Sequence, residues 1–294
     1  MLASATGIRH HLELQLATAE AGKDGWAFVA ERDGVVVGTA LLSRDPAFPG
    51  SVITLVSVSE PARRAGVGSA LADLLTERLK EETLPAFYRL RDDLTEGRRF
   101  AEQYGYTVHS HSVGWGLDLA SQHDTLEAAA HEASRSAHVR IRQADLPHDI
   151  DEVLECAARC LPDLPAEEGD VKQAGDYFPE NTILLLAERD EREDEEIERP
   201  PLGLTALAPE KEGDTWYTLF TGVVTTHRRT GIARALKSDS FLRAHRAGAR
   251  SVHTHNHDTN DAIIGLNASF DMRPVPGYWD LRRPIPEAGG LRAG

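Results

Sequence analysis

Two stretches of the chain set a pair of arginines just ahead of a glycine-bearing turn: Arg63-Arg64-Ala65-Gly66-Val67-Gly68 and Arg228-Arg229-Thr230-Gly231-Ile232-Ala233. Each follows an apolar, strand-like run and precedes a helix-like one. That succession suits a phosphate. The first N–H groups of a helix have no partner within it, and the helix dipole favours negative charge there. Glycine lets the main chain approach the anion, and arginine adds charge-assisted bonds. One such turn is weak evidence, since many merely open a helix; two in matched settings weigh more. Neither stretch carries Gly-Lys-Ser/Thr, so neither is a Walker loop. Neither meets G-x-G-x-x-G, and the preceding hairpins do not suit a dinucleotide-binding βαβ unit. The pyrophosphate of another cofactor remains.

A second concentration of chemistry is His253-Thr254-His255-Asn256-His257-Asp258. Strand alternation puts three imidazoles on one face. Imidazole is a common metal ligand, but same-face neighbours lie ~6–7 Å apart, awkward for one small ion. No metal is expected; one imidazole as a proton shuttle fits better. Asp258 reads as a cap for the helix beginning near Asn260, or as an attractor for a cationic amine. Cys156 and Cys160 sit four apart in a helical pattern and form neither a disulfide framework nor a C-x-x-C site. They read as buried thiols in a reducing cytoplasm. The carboxylate-rich insert 188–198 lacks the pattern of a calcium loop and reads as a solvated excursion.

The elements that must position these residues occur twice. In the first half, strands are expected at 26–30, 35–42 and 51–58, then the Gly66 turn and a helix through Leu71, Leu74, Leu75 and Leu79. A strand at 86–90, a helix at 97–104 and a strand at 113–119 complete it. The second half repeats this with strands at 138–142, 182–187, 202–208 and 216–224, the Gly231 turn, and a helix through Ala235, Leu236, Phe241 and Leu242. A strand at 251–257, a helix at 260–270 and a last strand at 278–281 follow. The expected domains are 1–120, trimmed at its start, and 138–294, with 121–137 as an Ala/His/Glu-rich, partly helical linker. The class is mixed α/β (α+β), helices on a mostly antiparallel sheet in each half.

Composition narrows the function. The 294 residues are 41% apolar and 27% charged, those of a globular protein. A net charge of −15 argues against a broad grip on nucleic acid. No apolar run approaches a membrane span, and residues 1–11 lack a signal-peptide core. The expectation is a cytoplasmic protein, monomer or homodimer, acting on a small molecule.

These motifs resemble the GNAT superfamily of acyl-CoA N-acyltransferases, in a tandem form similar to mycothiol synthase and related actinobacterial enzymes. The run from Thr221 through Arg228, Gly231 and Ala233 to Lys237 follows the family's acetyl-CoA motif, and Thr254, Asn256, Asn260 and Asn267 follow its later asparagine pattern. The likeness covers 139–284, and 22–119 more loosely. It implies acetyl-CoA as acyl donor. Val223, Val224 and Thr225 would meet the pantetheine arm, and Arg228, Arg229, Thr230, Gly231, Ile232 and Ala233 would wrap the pyrophosphate. Asn256, Asn260 and Asn267 would line the cleft. Val58, Arg63, Arg64, Gly66, Val67 and Gly68 are the matching set in the first half, which lacks the asparagine series and reads as structural or as binding CoA without turnover.

The resemblance implies acetyl transfer to a small primary amine in the second half. The proton-transfer residues depart from the family. Tyr217 stands where mycothiol synthase has a glutamate, and Asn267 where many members have a tyrosine. Tyrosine, with a pKa of ~10, is a poor base at neutral pH, so the expectation is deprotonation through water held by Thr218, Asn256 and His257. Tyr278 is the candidate acid for the departing thiolate. Two rival functions are a CoA-binding sensor or scaffold without turnover, and a protein-lysine acetyltransferase.

Overall fold

The computed structural model describes residues 25–44, 50–146, 148–160, 178–179, 181–190, 200–210 and 214–284. The chain divides into two compact units: Met1–Ser112 with Tyr278–Gly294, and Val113–Gly277. Both are helices packed on mixed sheet.

In the first unit β1 (Gly25–Arg32), β2 (Val35–Ser43) and β3 (Val52–Val58) form an antiparallel meander. Helix α1 (Val67–Leu79) crosses back so that β4 (Ala86–Arg91) lies parallel to β3. Helix α2 (Thr95–Gln103) and β5 (Thr107–Asp118) follow. Leu71, Leu75 and Leu79 on one stripe of α1 bury against Ala40, Leu42, Val52 and Ala86, as helix and strand periodicities require.

The second unit opens with α3 (His123–Ala137) and β6 (Val139–Gln143), then α4 (Ile150–Cys160), β7 (Ile183–Arg189), β8 (Gly203–Pro209) and β9 (Thr215–Val223). Helix α5 (Ile232–Arg246) leads to β10 (Ser251–His257), α6 (Asp261–Ala268) and β11 (Arg273–Arg283). β6 through β9 are antiparallel neighbours, and β10 returns parallel to β9. Two cores form on the two faces. Leu207, Trp216, Leu236 and Phe241 belong to one, and Val153, Cys156, Cys160, Leu184 and Leu204 to the other. Arg142 on β6 gathers Asp149 at 2.6 Å together with Glu152 and Glu188, fixing α4 against its sheet. Among the described residues, no helix is long and apolar enough to cross a membrane, and no cluster of His, Cys, Asp or Glu could hold a metal ion.

Two findings differ from the sequence reading. The 121–137 segment, expected as a linker, is the helix α3, whose Leu126, Ala130 and Ala133 are buried in the core that also takes α5. Its small apolar residues recur at helical spacing, a stripe too narrow to stand out by composition. The last strand, expected in the second half, gives Tyr278–Gly294 to the first unit. There Tyr278 pairs with Arg91 and Arg283 with Ala86, Arg89 clasps Asp280 at 2.6 and 2.9 Å, and Leu281 is fully buried. The insert 188–198 lies mostly outside the described residues.

If α3 is core, Leu126→Ala should lower the unfolding free energy in a urea titration by about 2–5 kcal/mol. A linker residue would change it by less than ~0.5 kcal/mol.

Candidate functional site

The two glycine turns are built alike. In each, the strand ends at a valine, a single 3-10 turn follows (Glu60–Ala62 or Thr225–His227), and the helix opens on a left-handed glycine, Gly66 at φ 80° or Gly231 at φ 91°. The second arginine is left-handed too, Arg64 at 64° and Arg229 at 65°. A non-glycine residue in that region costs roughly 1–2 kcal/mol, so both copies store the same strain, a recurrent mark of ligand-binding loops. A Cβ on Gly231 would meet only Ala137, at 3.5 Å. Glycine serves conformation there, not space.

The first arginines do not reach outward. Arg63 Nε donates to Val58 O at 3.1 Å, and Arg228 Nε to Val223 O at 3.3 Å. Arg228 Nη2 also donates to Cys160 O at 3.1 Å, at the end of α4. These guanidinium groups brace the loop against the strand that feeds it. The main-chain N–H groups of Ile232, Ala233 and Arg234 in the first turn of α5 lie before the helix's own ladder begins at Ala235 N to Gly231 O, the position at which a helix can receive an anion.

Beside the turn the sheet opens. β9 and β10 pair only at Thr215↔Ser251, Trp216↔Val252 and Tyr217↔His253. The register of β9 on β8 slips between Leu207↔Thr218 and Ala206↔Phe220, leaving Leu219 as the extra residue of a bulge. Beyond it, β9 keeps its pairing to β8 and has no registered partner in β10, so main-chain groups on that edge face a wedge. Thr254 Oγ1 donates to Thr218 O at 3.3 Å where the strands part. The Thr218 hydroxyl is buried there and has no hydrogen-bond partner. In the first unit β3 and β4 part after Val52↔Ala86 and Ile53↔Phe87, without a bulge on β3.

The candidate catalytic residues separate onto different faces. Tyr217 stacks on His255, centroids 5.7 Å apart, and their polar atoms lie 3.0 Å apart at Oη and Nδ1. His255 Nε2 lies 3.2 Å from Pro276 O. A carbonyl only accepts, so Nε2 carries the proton, and Tyr217 donates to Nδ1. Asn256 faces the other way: its Oδ1 accepts from Asn267 Nδ2 at 2.6 Å, and Asn267 Oδ1 accepts from Lys237 Nζ at 2.9 Å. His257 Nδ1 is held in a turn by Thr259 Oγ1 at 2.8 Å and Thr259 N at 3.3 Å. Thr218, Asn256 and His257 therefore do not converge on one water beside Tyr217. Asn260, not Asp258, caps α6, its Oδ1 accepting from Ile263 N at 3.3 Å. Tyr278 lies in the first unit.

The sequence reading passed over Lys237 as a site residue, and it counted His255 only as one of three imidazoles, any of which could shuttle a proton. Lys237 is 1% exposed, and burial lowers its pKa to about 7. A helical spacing was there to find it: Lys237, Phe241 and Ala244 share one buried stripe of α5.

In the first unit the equivalent space is apolar. A small cleft is lined by Val56, Ala72, Leu75, Phe100 and Ala101, with Tyr88, Tyr104 and Tyr106 around them. Tyr106 Oη and Thr54 Oγ1 are 2.7 Å apart, and Thr54 donates to Phe87 O at 3.0 Å. Burial pushes the Tyr88 hydroxyl up to about 12.

Paired glycine turns at the mouths of helices, each beside a parted parallel strand pair, match what comparison finds. Residues 5–106 match the model of the acetyltransferase (GNAT) family. That match falls on the half read as the looser copy. A GCN5-related N-acetyltransferase from Sphaerobacter thermophilus aligns at TM-score 0.67 and 16% identity, over 90% of this chain and 82% of its own. A tandem GNAT protein from the clavulanic acid biosynthesis pathway aligns at 0.66 and 16%, over 96% of each chain. A GCN5-related N-acetyltransferase from Kribbella flavida aligns at 0.60 and 14%, over 100% and 99%. At these identities the likeness is one of fold. No curated protein matches the chain.

The buried lysine gives a pH signature. Unfolded lysine holds its proton to ~10.4, whereas folded Lys237 releases it near 7. Between these values the unfolded state binds more protons, so this group makes stability rise with pH from about 7 to 10. Urea melts across that window should show the rise in the wild type, and Lys237→Met should flatten it.

Proposed function

We propose that this GNAT chain is an acetyl-CoA-dependent N-acetyltransferase for a small primary amine, and that transfer takes place in the second unit. The observation that carries the reading is the wedge between β9 and β10, opened by the Leu219 bulge and running into the Gly231 turn.

The second unit fits such a cofactor. The first-turn N–H groups of α5 suit its pyrophosphate, the unpaired edge of β9 suits the amides of its arm, and Thr218 offers a buried hydroxyl without a partner at the fork. Bound there, the cofactor supplies a thioester. The chain's part is to bind, orient and move protons. Main-chain N–H groups on the β9 edge are placed to stabilise charge developing on the acyl oxygen. Tyr217 Oη can accept a proton from the attacking ammonium while passing its own to His255 Nδ1. The proton then rests on an imidazole, the side chain that most often serves as general base. This route replaces water held by Thr218, Asn256 and His257.

A second reading rests on the family match to residues 5–106 and on the cleft beside α1: the first unit also holds CoA, without turnover, since it has neither the bulge nor counterparts of Lys237, Asn256 and Asn267.

The test is thiol release from acetyl-CoA with a panel of small amines, beside calorimetric CoA titration. Gly231→Val should remove turnover, while Gly66→Val should leave most of it. The reverse result would move catalysis to the first unit. CoA binding without thiol release for any amine would favour a sensor or scaffold, and release only with a lysine-bearing protein would favour a protein acetyltransferase. Tyr217→Phe and His255→Ala should each lower kcat/KM by ~10²–10⁴-fold, the scale of a dedicated base. Losses below tenfold in both would restore a water path.

A further inference from the structure

Asparagine amides have two ends, and a chain of them has a direction. On the helix-covered face of the second unit, Lys237 Nζ donates to Asn267 Oδ1 at 2.9 Å, and Asn267 Nδ2 donates to Asn256 Oδ1 at 2.6 Å. Lys237 and Asn267 are 1% and 0% exposed. Asn256 is only partly buried and sits on β10 beyond the last residue paired with β9, His253.

The lysine sets the direction. As an ammonium its nitrogen has only N–H groups to offer, so Asn267 then turns its oxygen to α5 and its NH₂ to β10, the arrangement observed. Asn256 must then turn its oxygen to Asn267, which leaves its own NH₂ as the exposed end. Reversing any amide would set two donors or two acceptors face to face in a buried site, at a cost comparable to an unmade hydrogen bond. Neither Lys237 nor Asn267 has a polar counterpart in the first unit. There the matching positions of helix α1 and helix α2 are Ala72 and Ala101, both lining its apolar cleft.

We propose that Lys237 is a positioning residue. Acting through Asn267, it holds Asn256 with its amide N–H groups toward the wedge, where they donate to an acceptor oxygen of the acyl-pantetheine arm. The proposal rests on the reading that the second unit binds CoA, and its test separates the two.

The probes are CoA and adenosine 3′,5′-bisphosphate. The latter lacks the pantetheine arm, and both are titrated calorimetrically on the full chain. Neither ligand binding the wild type would overturn the reading of the site. Given binding, Lys237→Met should weaken CoA by about three- to tenfold, the scale of one hydrogen bond, and leave the bisphosphate unchanged, so that the preference for CoA shrinks. Asn256→Leu, at a site outside the core, should shrink it equally, and should do so even if Lys237→Met fails to fold. Lys237→Met added to Asn256→Leu should change nothing more. Equal weakening of both ligands, or an unchanged preference in Asn256→Leu, would overturn the proposal.

Discussion

The candidate site of the second unit depends on β9 and β10 ceasing to pair after Tyr217↔His253. A parallel pair normally satisfies both edges along its length. Here one inserted residue, Leu219, turns β9 so that its later half follows β8 alone. The cost is a row of main-chain groups without strand partners and a buried threonine hydroxyl without any. Such costs persist where something else satisfies them. The same turn of the strand delivers the chain into the Arg228 brace and the left-handed Gly231, so the open edge and the helix N-terminus form one continuous polar track.

The two units show one scaffold under two sets of side chains. Each has the parted strands, the brace from arginine to the strand's last carbonyl, and the left-handed glycine. Between the helix after the turn and the next helix, the first unit places alanines and tyrosines and keeps an apolar cleft. The second places Lys237 and Asn267 and fills the space with hydrogen bonds. A buried amine and amide of this kind contribute little net stability, because desolvation offsets most of what the bonds return. Their presence in one copy alone is a chemical asymmetry, and it runs opposite to the family match, which falls on the first copy.

Much of this was legible in the residues. Paired Arg-x-x-Gly turns between strand and helix, and the alternation of apolar residues, place the loops and most elements correctly. The rest was hidden for physical reasons. A bulge adds one residue to a strand without changing its composition, so Leu219 leaves no mark in a pattern read by eye. The stripe of α3 is mostly alanine, which reads as neutral. Strand 278–281 pairs with β4 through long-range contacts that local spacing does not encode. The direction of two successive side-chain hydrogen bonds, from Lys237 through Asn267 to Asn256, depends on α5, α6 and β10 together. Tyr217 was noticed as a poor base, but its partner His255 lies on another strand, so the pairing leaves no mark in local spacing.

The central claim is that an anionic cofactor sits at the first turn of α5 and along the open edge of β9. Hydrogen exchange read at single amides, with and without CoA, tests it most directly. The account predicts slower exchange on CoA addition at Ile232, Ala233 and Arg234, and along 219–223. Bound CoA with no change at these amides, or with protection confined to the first turn of α1 at Val67 and Gly68, would contradict it.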